Sequence, residues 1–430
     1  MIRIAHFSDL HYGPKNMAEA DRCFGAAIDQ AIALGVQAAV LSGDSTDHAL
    51  DLHSPAAERL VSQVRRLADH CPVLMLQGTF SHEPPGTLSI FKMLGGRYPV
   101  HVADRIGQVC LMPNGQWQAS GGWAFDALPE GMLALFSCIP TVNKAVVAVT
   151  VGASAAAEAV GEQLVALLAG FAPNHRRAKV LGVPSIGVSH GTVFGCLSEH
   201  GVPMAGFDHE FTTGALFGAE AQAFLLGHIH RHQIWDCDSR AGRQRIAYAG
   251  SIGRFHHGED GEKGFLLWEV DAASALSTLH ATPARRTVDI VFEGRPDLDA
   301  LRKVIVEQSI AGAHVRVRWT VADEDRHGVN REAIQQALVD AVDVKLEGRI
   351  VPVVRTRAAG ISRLGSLEQK VSAWAEATEA RREPLLACLA ELAGAQPCEI
   401  ADRVLGGDAI AQAVRGDSKM EAGHAAVEVA

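Results

Sequence analysis

The chain has 430 residues, 48% of them hydrophobic and 20% charged, with 39 basic against 49 acidic side chains and a formal net charge of -10. That length suggests two or three domains of about 150 residues each. The composition is that of a folded chain rather than a disordered one, and the acidic balance gives no general attraction to nucleic acid, so any phosphate-binding surface must be local or carried by a bound cation. The 8 cysteines include no Cys-x-x-Cys pair, which argues against zinc knuckles and a disulfide framework. The first residues are too polar for a signal peptide, and the Ala-rich stretch from Val146 to Ala172 is broken by Glu158, Glu162 and Gln163. No membrane span is expected, and the cytoplasm is the default location.

In chain order, a strand from Ile2 to Phe7 ends in Ser8-Asp9-Leu10-His11, which places Asp9 and His11 on one face. A helix is expected from about Ala18 to Leu34, with Asn16 as cap and Gly35 as stop. The strand Ala38 to Leu41 then runs into Ser42-Gly43-Asp44-Ser45-Thr46-Asp47. A second helix over roughly Pro55 to Ala68 leads to the strand Val73 to Leu76 and the loop Gln77-Gly78-Thr79-Phe80-Ser81-His82-Glu83. Strand-helix-strand alternation is the α/β signature, and in open α/β sheets ligands lie beyond the carboxyl ends of the strands.

Between Tyr98 and Ser137, short apolar runs with Gly and Pro turns are expected to supply strands of a second sheet. Ser154 to Phe171 reads as a helix, and the basic run Asn174 to Lys179 as a solvated loop or, less simply, a phosphate contact. The strand Ser185 to Val188 ends in Ser189-His190-Gly191. Next comes Leu225-Leu226-Gly227-His228-Ile229-His230, an apolar run whose two histidines share a face and read equally as a metal-binding pair or an ordinary surface pair. After it, Tyr248 to Arg254 is a strand entering a Gly-rich turn, open to reading as a plain turn or a substrate contact.

Asp9, His11, Asp44, His82, His190, His228 and His230 therefore each stand at the end of an apolar strand-like run. Individually each has an ordinary structural explanation, such as a cap, a turn or a hydrogen-bonded loop histidine. Together they form a mixed Asp/His set without cysteine, suited to manganese, iron or zinc rather than to calcium or a thiolate site.

The series Asp9-x-His11, Gly43-Asp44-x-x-Asp47, Gly78 to His82-Glu83, Ser189-His190-Gly191 and Gly227-His228-x-His230 resembles the calcineurin-like metallophosphoesterase superfamily. Its order most resembles the SbcD-type DNA repair exonuclease branch, over about the first 285 residues. The resemblance implies a sandwich of two mixed β-sheets flanked by helices and a centre for two divalent ions, manganese above all. By resemblance Asp9, His11 and His230 hold the first ion, Asp44 bridges, His190 and His228 hold the second, and His82 protonates or stabilises the leaving oxygen. Asp47 and Glu83 are candidates for orienting those ligands. One departure stands out. The family's third motif has an Asn that binds the second ion; aligned on His82 that position is Ser81, taken here as the expected ligand, and aligned on Gly78 it is Thr79. A hydroxyl is a poorer ligand for a hard cation, so the second site is expected to be the weaker one.

From Thr287 a strand Val288 to Phe292, a helix Leu298 to Gln308, a strand His314 to Thr320, a helix Arg331 to Val342 and a strand Arg349 to Val354 form a small α/β unit that resembles the capping domain of SbcD-type nucleases. Arg316 and Arg318 alternate on one strand face, either solvated or in contact with phosphate. Ser366-Leu367-Glu368-Gln369 is a capping box that opens a helix carrying Leu367, Val371 and Trp374, and a second helix spans about Pro384 to Ala393. In the resembled family such helices dock on a coiled-coil SbcC-like ATPase; equally, Trp374 could pack on this chain's own cap. The tail from Gly406 to Ala430 is expected to be disordered at its end.

The expected organisation is thus residues 1–285 as nuclease domain, 286–360 as capping and DNA-contact domain, and 361–430 as helical partner-binding segment and tail. The resemblance implies a metal-dependent nuclease acting on DNA with an SMC-like ATPase, with homodimerisation also within its scope. The alternatives are a metallophosphoesterase for a small phosphoester and a catalytically weakened scaffold subunit. No substrate-binding residue is assigned.

Overall fold

A computed structural model of the chain describes residues 1–51, 53–142, 153–204, 211–239, 242–259, 261–351, 360–396 and 399–400. In chain order it contains β1 (Ile2–Phe7), α1 (Met17–Ala33), β2 (Ala38–Leu41), α2 (Pro55–Ala68), β3 (Val73–Leu76), β4 (Val100–Ala103), β5 (Gly107–Leu111), β6 (Trp117–Ala119) and β7 (Ala134–Ile139). There follow α3 (Ala153–Val180), β8 (Ser185–His190), α4 (Thr213–Gly218), β9 (Ala223–Gly227), β10 (Gln233–Ser239), β11 (Gly242–Tyr248), β12 (Gly264–Val270) and β13 (Ala275–Ala281). The remainder is β14 (Thr287–Glu293), α5 (Leu298–Gln308), β15 (His314–Ala322), α6 (Arg331–Ala337), β16 (Asp343–Val351), α7 (Leu367–Ala377) and α8 (Arg382–Gly394).

The strands form a six-stranded sheet, β13-β12-β1-β2-β3-β4, a seven-stranded sheet, β10-β11-β9-β8-β7-β5-β6, and a three-stranded sheet, β14-β15-β16. Both large sheets are mixed. β1 to β4 run parallel while β12 is antiparallel to β1, and β7, β8, β9 and β11 run parallel while β5 and β10 are antiparallel to their neighbours.

Strand alternation explains why the large sheets stack. Ile2 and Ile4 of β1, Ala38 and Val40 of β2, and Leu74 and Leu76 of β3 point into one shared core with Phe136, Ile186, Val188, Ala223 and Leu225 of the second sheet. Their intervening neighbours Phe7, Leu41 and Met75 face the other way, onto Phe24, Ile28, Leu60 and Val64 of α1 and α2. On the far side, Phe224 and Leu226 of β9 pack with Val160, Leu164, Leu168 and Phe171 of α3. Strands buried on both faces must be apolar throughout, which is why β2, β3 and β9 read as continuous runs rather than alternating ones. The chain is an α/β protein with two mixed sheets face to face and helices outside.

Several expectations change. β4, from the less legible middle segment, joins the first sheet, while β5, β6 and β7 build the second. The basic run is not a loop, because α3 continues through Pro173 to Val180. Asn174 and His175 are buried: Asn174 donates to Gln108 and the Phe125 carbonyl at 2.8 Å each, and His175 lies 2.6 Å from the Ala219 carbonyl. These side chains pin the turn after Pro173 to the second sheet.

The three-stranded sheet has its own core, built from Val288, Ile290, Leu301, Val315, Val317, Trp319 and Ile334. α6 is shorter than expected, and β16 starts six residues before Arg349, because the alternation in Asp343-Val344-Lys345-Leu346 already turns Val344 and Leu346 toward that core. Arg316 and Arg318 are not merely solvated: both bond Asp289 on the neighbouring strand, with contacts of 2.7 Å each.

By compactness the chain divides into Met1–Ile350 and Val351–Ala430. In the second unit α7 carries the expected capping box between Ser366 and Gln369, and α7 and α8 pack together. The tail from Gly406 to Ala430 lies outside the described residues. Among the described residues no helix is long and apolar enough to cross a membrane.

Candidate metal centre

The parallel strands β1, β2, β3, β8 and β9 deliver five loops to one edge of the sandwich. The backbone is drawn tight there. Asp9 N–H donates to the Gly43 carbonyl at 3.2 Å and His11 N–H to the Asp44 carbonyl at 3.0 Å, so the first two loops run side by side. Asp9, His11, Asp44 and His228 hold positive φ values of 50°, 46°, 51° and 100°. Non-glycine residues pay of order 1–3 kcal/mol for such conformations and keep them where the surroundings over-determine them, commonly at functional sites. Gly227 permits the close packing of the two sheets at this edge: a Cβ on it would collide with the Ser42 carbonyl and the Ser8 hydroxyl and sit 2.8 Å from His190 Nδ1.

Six predicted residues come together as two adjoining sets whose ligand atoms lie within 4.8 Å of one another: Asp9, His11 and His230 in one, Asp44, His190 and His228 in the other. In the first set, His11 Nε2 and His230 Nε2 are 2.9 Å apart. Asp9 accepts from the Ser8 hydroxyl at 2.5 Å and from His228 N–H at 3.2 Å. In the second, His190 Nδ1 donates to the Ser42 carbonyl at 2.7 Å, which aims Nε2 at Asp44 Oδ2, 3.2 Å away. A carbonyl can only accept, so this bond fixes the imidazole tautomer and leaves Nε2 as the ligating atom once its proton is lost.

The charges are strongly coupled. Burial raises the Asp9 carboxyl above its ordinary value, and the Asp44 charge adds to this. At Asp44 burial acts in the same upward sense but is outweighed by the charge and hydrogen bond of His190, so its carboxyl is held well below the usual range. Burial opposes the charge on His190, yet Asp44 overrides it and pushes the imidazole up to about 10. His230 is kept neutral by burial, then by the proximity of His11.

His82 stands beside these sets, its ring 4.8 Å from that of His11. Its Nδ1 donates to the Asp47 carbonyl at 2.6 Å, leaving Nε2 for proton exchange. Glu83 is buried and accepts from Ser45 N–H at 2.5 Å and Gly78 N–H at 2.6 Å, so one carboxylate ties the second loop to the third. Burial, then the Asp44 charge, push it up to about 7. Asp47 Oδ1 lies 3.7 Å from His11 Nδ1. Glu83 thus orients the loops more than any ligand ring, whereas Asp47 approaches both His11 and His82.

The expected ligand Ser81 is corrected by the geometry. Ser81 is exposed, whereas the Thr79 hydroxyl is 3.2 Å from both Asp44 Oδ2 and His190 Nε2, and Thr79 N–H donates to Asp44 Oδ1 at 2.6 Å. The residue straight after Gly78 leaves β3 beside Asp44, while Ser81 has already moved out into the turn closed by His82 N–H on the Thr79 carbonyl. Two further neighbours carry no sequence signal. The buried Lys263 donates to the His230 carbonyl at 2.7 Å, and the His256 ring stacks on His230 at 6.2 Å.

The donor set fits divalent ions of borderline hardness. Two carboxylates and four imidazoles form the two sets, two of the imidazoles face each other through nitrogen, and His230 Nδ1 is buried without a hydrogen-bond partner among the described residues.

No protein-family model matches the chain, and no curated protein is similar to it in sequence. Solved structures do match, among them a dimetal phosphatase from Danio rerio, 11% identical, with a TM-score of 0.39, over 65% of this chain and 99% of that one. A similarity of that order carries no argument about what this chain does.

Proposed function

We propose that the chain is a two-metal phosphoester hydrolase. The observation that carries this reading is the pair of adjoining Asp/His sets at the carboxyl edge of the parallel strands, with the tautomer-fixed His82 beside them. Asp9, His11 and His230 would hold one ion, and Asp44, His190 and His228 the other, with Asp44 shared and the Thr79 hydroxyl beside the second. Bound there, the ions would supply charge stabilisation at phosphorus and an activated water. The chain's own groups do the rest. Glu83 and the Thr79 N–H hold the second and third loops in register, the Ser42 carbonyl orients His190, and His82 Nε2 is the atom left to exchange a proton with the departing oxygen.

Within that class we read the substrate as DNA and the protein as a nuclease subunit of SbcD type, working with manganese and a coiled-coil ATPase. Support comes from the order of the five motifs, the extra α/β unit of residues 287–351 and the two-helix unit after it. The half-exposed Trp374 of α7, with the exposed Leu367, gives that second unit apolar surface for a partner. Asp289 offsets the charge of Arg316 and Arg318, and a small phosphoester is the competing substrate. Purified protein with manganese, offered linear duplex DNA and a chromogenic phosphodiester in parallel, separates them. Turnover of the small ester with none of DNA would refute the nuclease reading, and turnover of neither would favour a scaffold subunit.

A further inference from the structure

A third constellation stands apart from the centre, where the three-stranded sheet meets the loop after β11. His257 comes from that loop, His314 opens β15 and Asp343 opens β16. Asp343 Oδ2 lies 3.0 Å from His257 Nε2 and 3.6 Å from His314 Nδ1, and the three ligand atoms fall within 4.8 Å of one another. Three ligands on one tetrahedral ion with bonds of about 2.0–2.1 Å are about 3.3 Å apart, so these separations bracket the spacing such an ion requires.

The surroundings favour a ligand over a simple ion pair. The two histidine side chains are only 13% and 15% exposed, and His314 Nδ1, the atom that faces Asp343, is buried without a hydrogen-bond partner among the described residues. Asp343 is within hydrogen-bond reach of His257 but, at 3.6 Å, not of His314, so the carboxylate alone leaves a buried imidazole nitrogen unsatisfied on the side where a cation would be held. Asp343 is 56% exposed, which leaves its side of the cluster open to a water as fourth ligand. The backbone holds the two strand starts in place: His314 N–H donates to the Arg286 carbonyl at 2.8 Å, and Val342 N–H to the Ala313 carbonyl at 2.9 Å.

We propose that His257, His314 and Asp343 bind a further divalent cation of zinc type, which clasps the three-stranded sheet to the loop 255–259. That loop also carries His256, stacked on His230, so the clasp would fix one wall of the central site without contacting the reacting atoms. Two nitrogens and one oxygen suit zinc better than magnesium or calcium. This inference is independent of the substrate and of the hydrolase reading.

The test is equilibrium dialysis of the full chain against zinc, in the wild type and in His257→Ala, His314→Ala and Asp343→Asn. Each variant is expected to bind one ion fewer, or that ion at least about 100-fold more weakly, and the cobalt-substituted forms should lose one set of tetrahedral absorption bands. Trypsin resistance of the segment 255–286 should rise with zinc in the wild type and not in Asp343→Asn, a half-exposed, shape-preserving change that serves if either alanine variant fails to fold. Equal zinc counts in wild type and Asp343→Asn would overturn the proposal. So would loss of the third ion on His256→Ala but not on His314→Ala, which would place it against His230 and Glu259 instead.

Discussion

Gly227→Ala probes the close approach on which the whole centre depends. The added methyl would meet the Ser42 carbonyl, the Ser8 hydroxyl and His190 Nδ1 together, and two of these are backbone or backbone-anchored atoms that cannot swing aside. Forcing a methyl into such a spot costs about 1–3 kcal/mol in overpacking. Breaking the buried 2.7 Å bond between His190 Nδ1 and the Ser42 carbonyl adds about 1–3 kcal/mol, giving a loss of roughly 2–6 kcal/mol. Gly161, within α3, meets nothing within 4 Å and is the matched control, where alanine should stabilise by up to about 1 kcal/mol. Urea denaturation of the metal-free chain, followed by the fluorescence of the sandwich tryptophans, reads both. An unchanged midpoint in Gly227→Ala, with manganese binding also unchanged, would refute the argument that this edge is packed to contact.

His82→Ala should slow hydrolysis of an alkyl phosphodiester by about 10²–10⁴-fold but that of a nitrophenyl ester far less, since a good leaving group needs no proton; equal losses in steady-state kinetics would remove the assigned role. Thr79→Asn should tighten manganese binding at the second half-site and Ser81→Asn leave it unchanged, and the reverse order in calorimetric titrations would restore Ser81. The His190 imidazole, raised to about 10 by Asp44, contributes stability to the metal-free chain that is complete below about 6.5 and lost as pH rises through about 10. The same proton must leave for an ion to enter, so second-site affinity should climb with pH from 6 to 9, with proton release seen in buffers of different ionisation enthalpy. A flat profile would contradict the pairing.

Strand ends were legible in this sequence because the parallel strands of the two large sheets are buried on both faces. Their apolar runs stop abruptly at Asp9, Asp44, His190 and His228, and the fold gathers those stops on one edge. Which hydroxyl lies beside the second set could not be read, because alignment on Gly78 and on His82 differ by two residues and only the path of the chain after β3 decides between them. α3 runs beyond the expected end at Phe171, since the burial of Asn174 and His175 holds it together through the basic run. The early start of β16 was visible in the alternation of Asp343 to Leu346, and the more hydrophobic run after Arg349 masked it. Lys263 and His256 gave no signal, because their roles exist only once β9, the loop after β11 and β12 are side by side. The pairing of Arg316 and Arg318 with Asp289 depends on the parallel register of β14 with β15, which places Asp289 opposite Arg316.

On the proposed reading, two ions would sit side by side on Asp9, His11, His230 and Asp44, His190, His228. Electron paramagnetic resonance of the full chain loaded with manganese tests it most directly. A magnetically coupled pair, abolished by Asp44→Asn, is predicted; a spectrum of isolated ions alone at saturating manganese would rule out a two-ion centre.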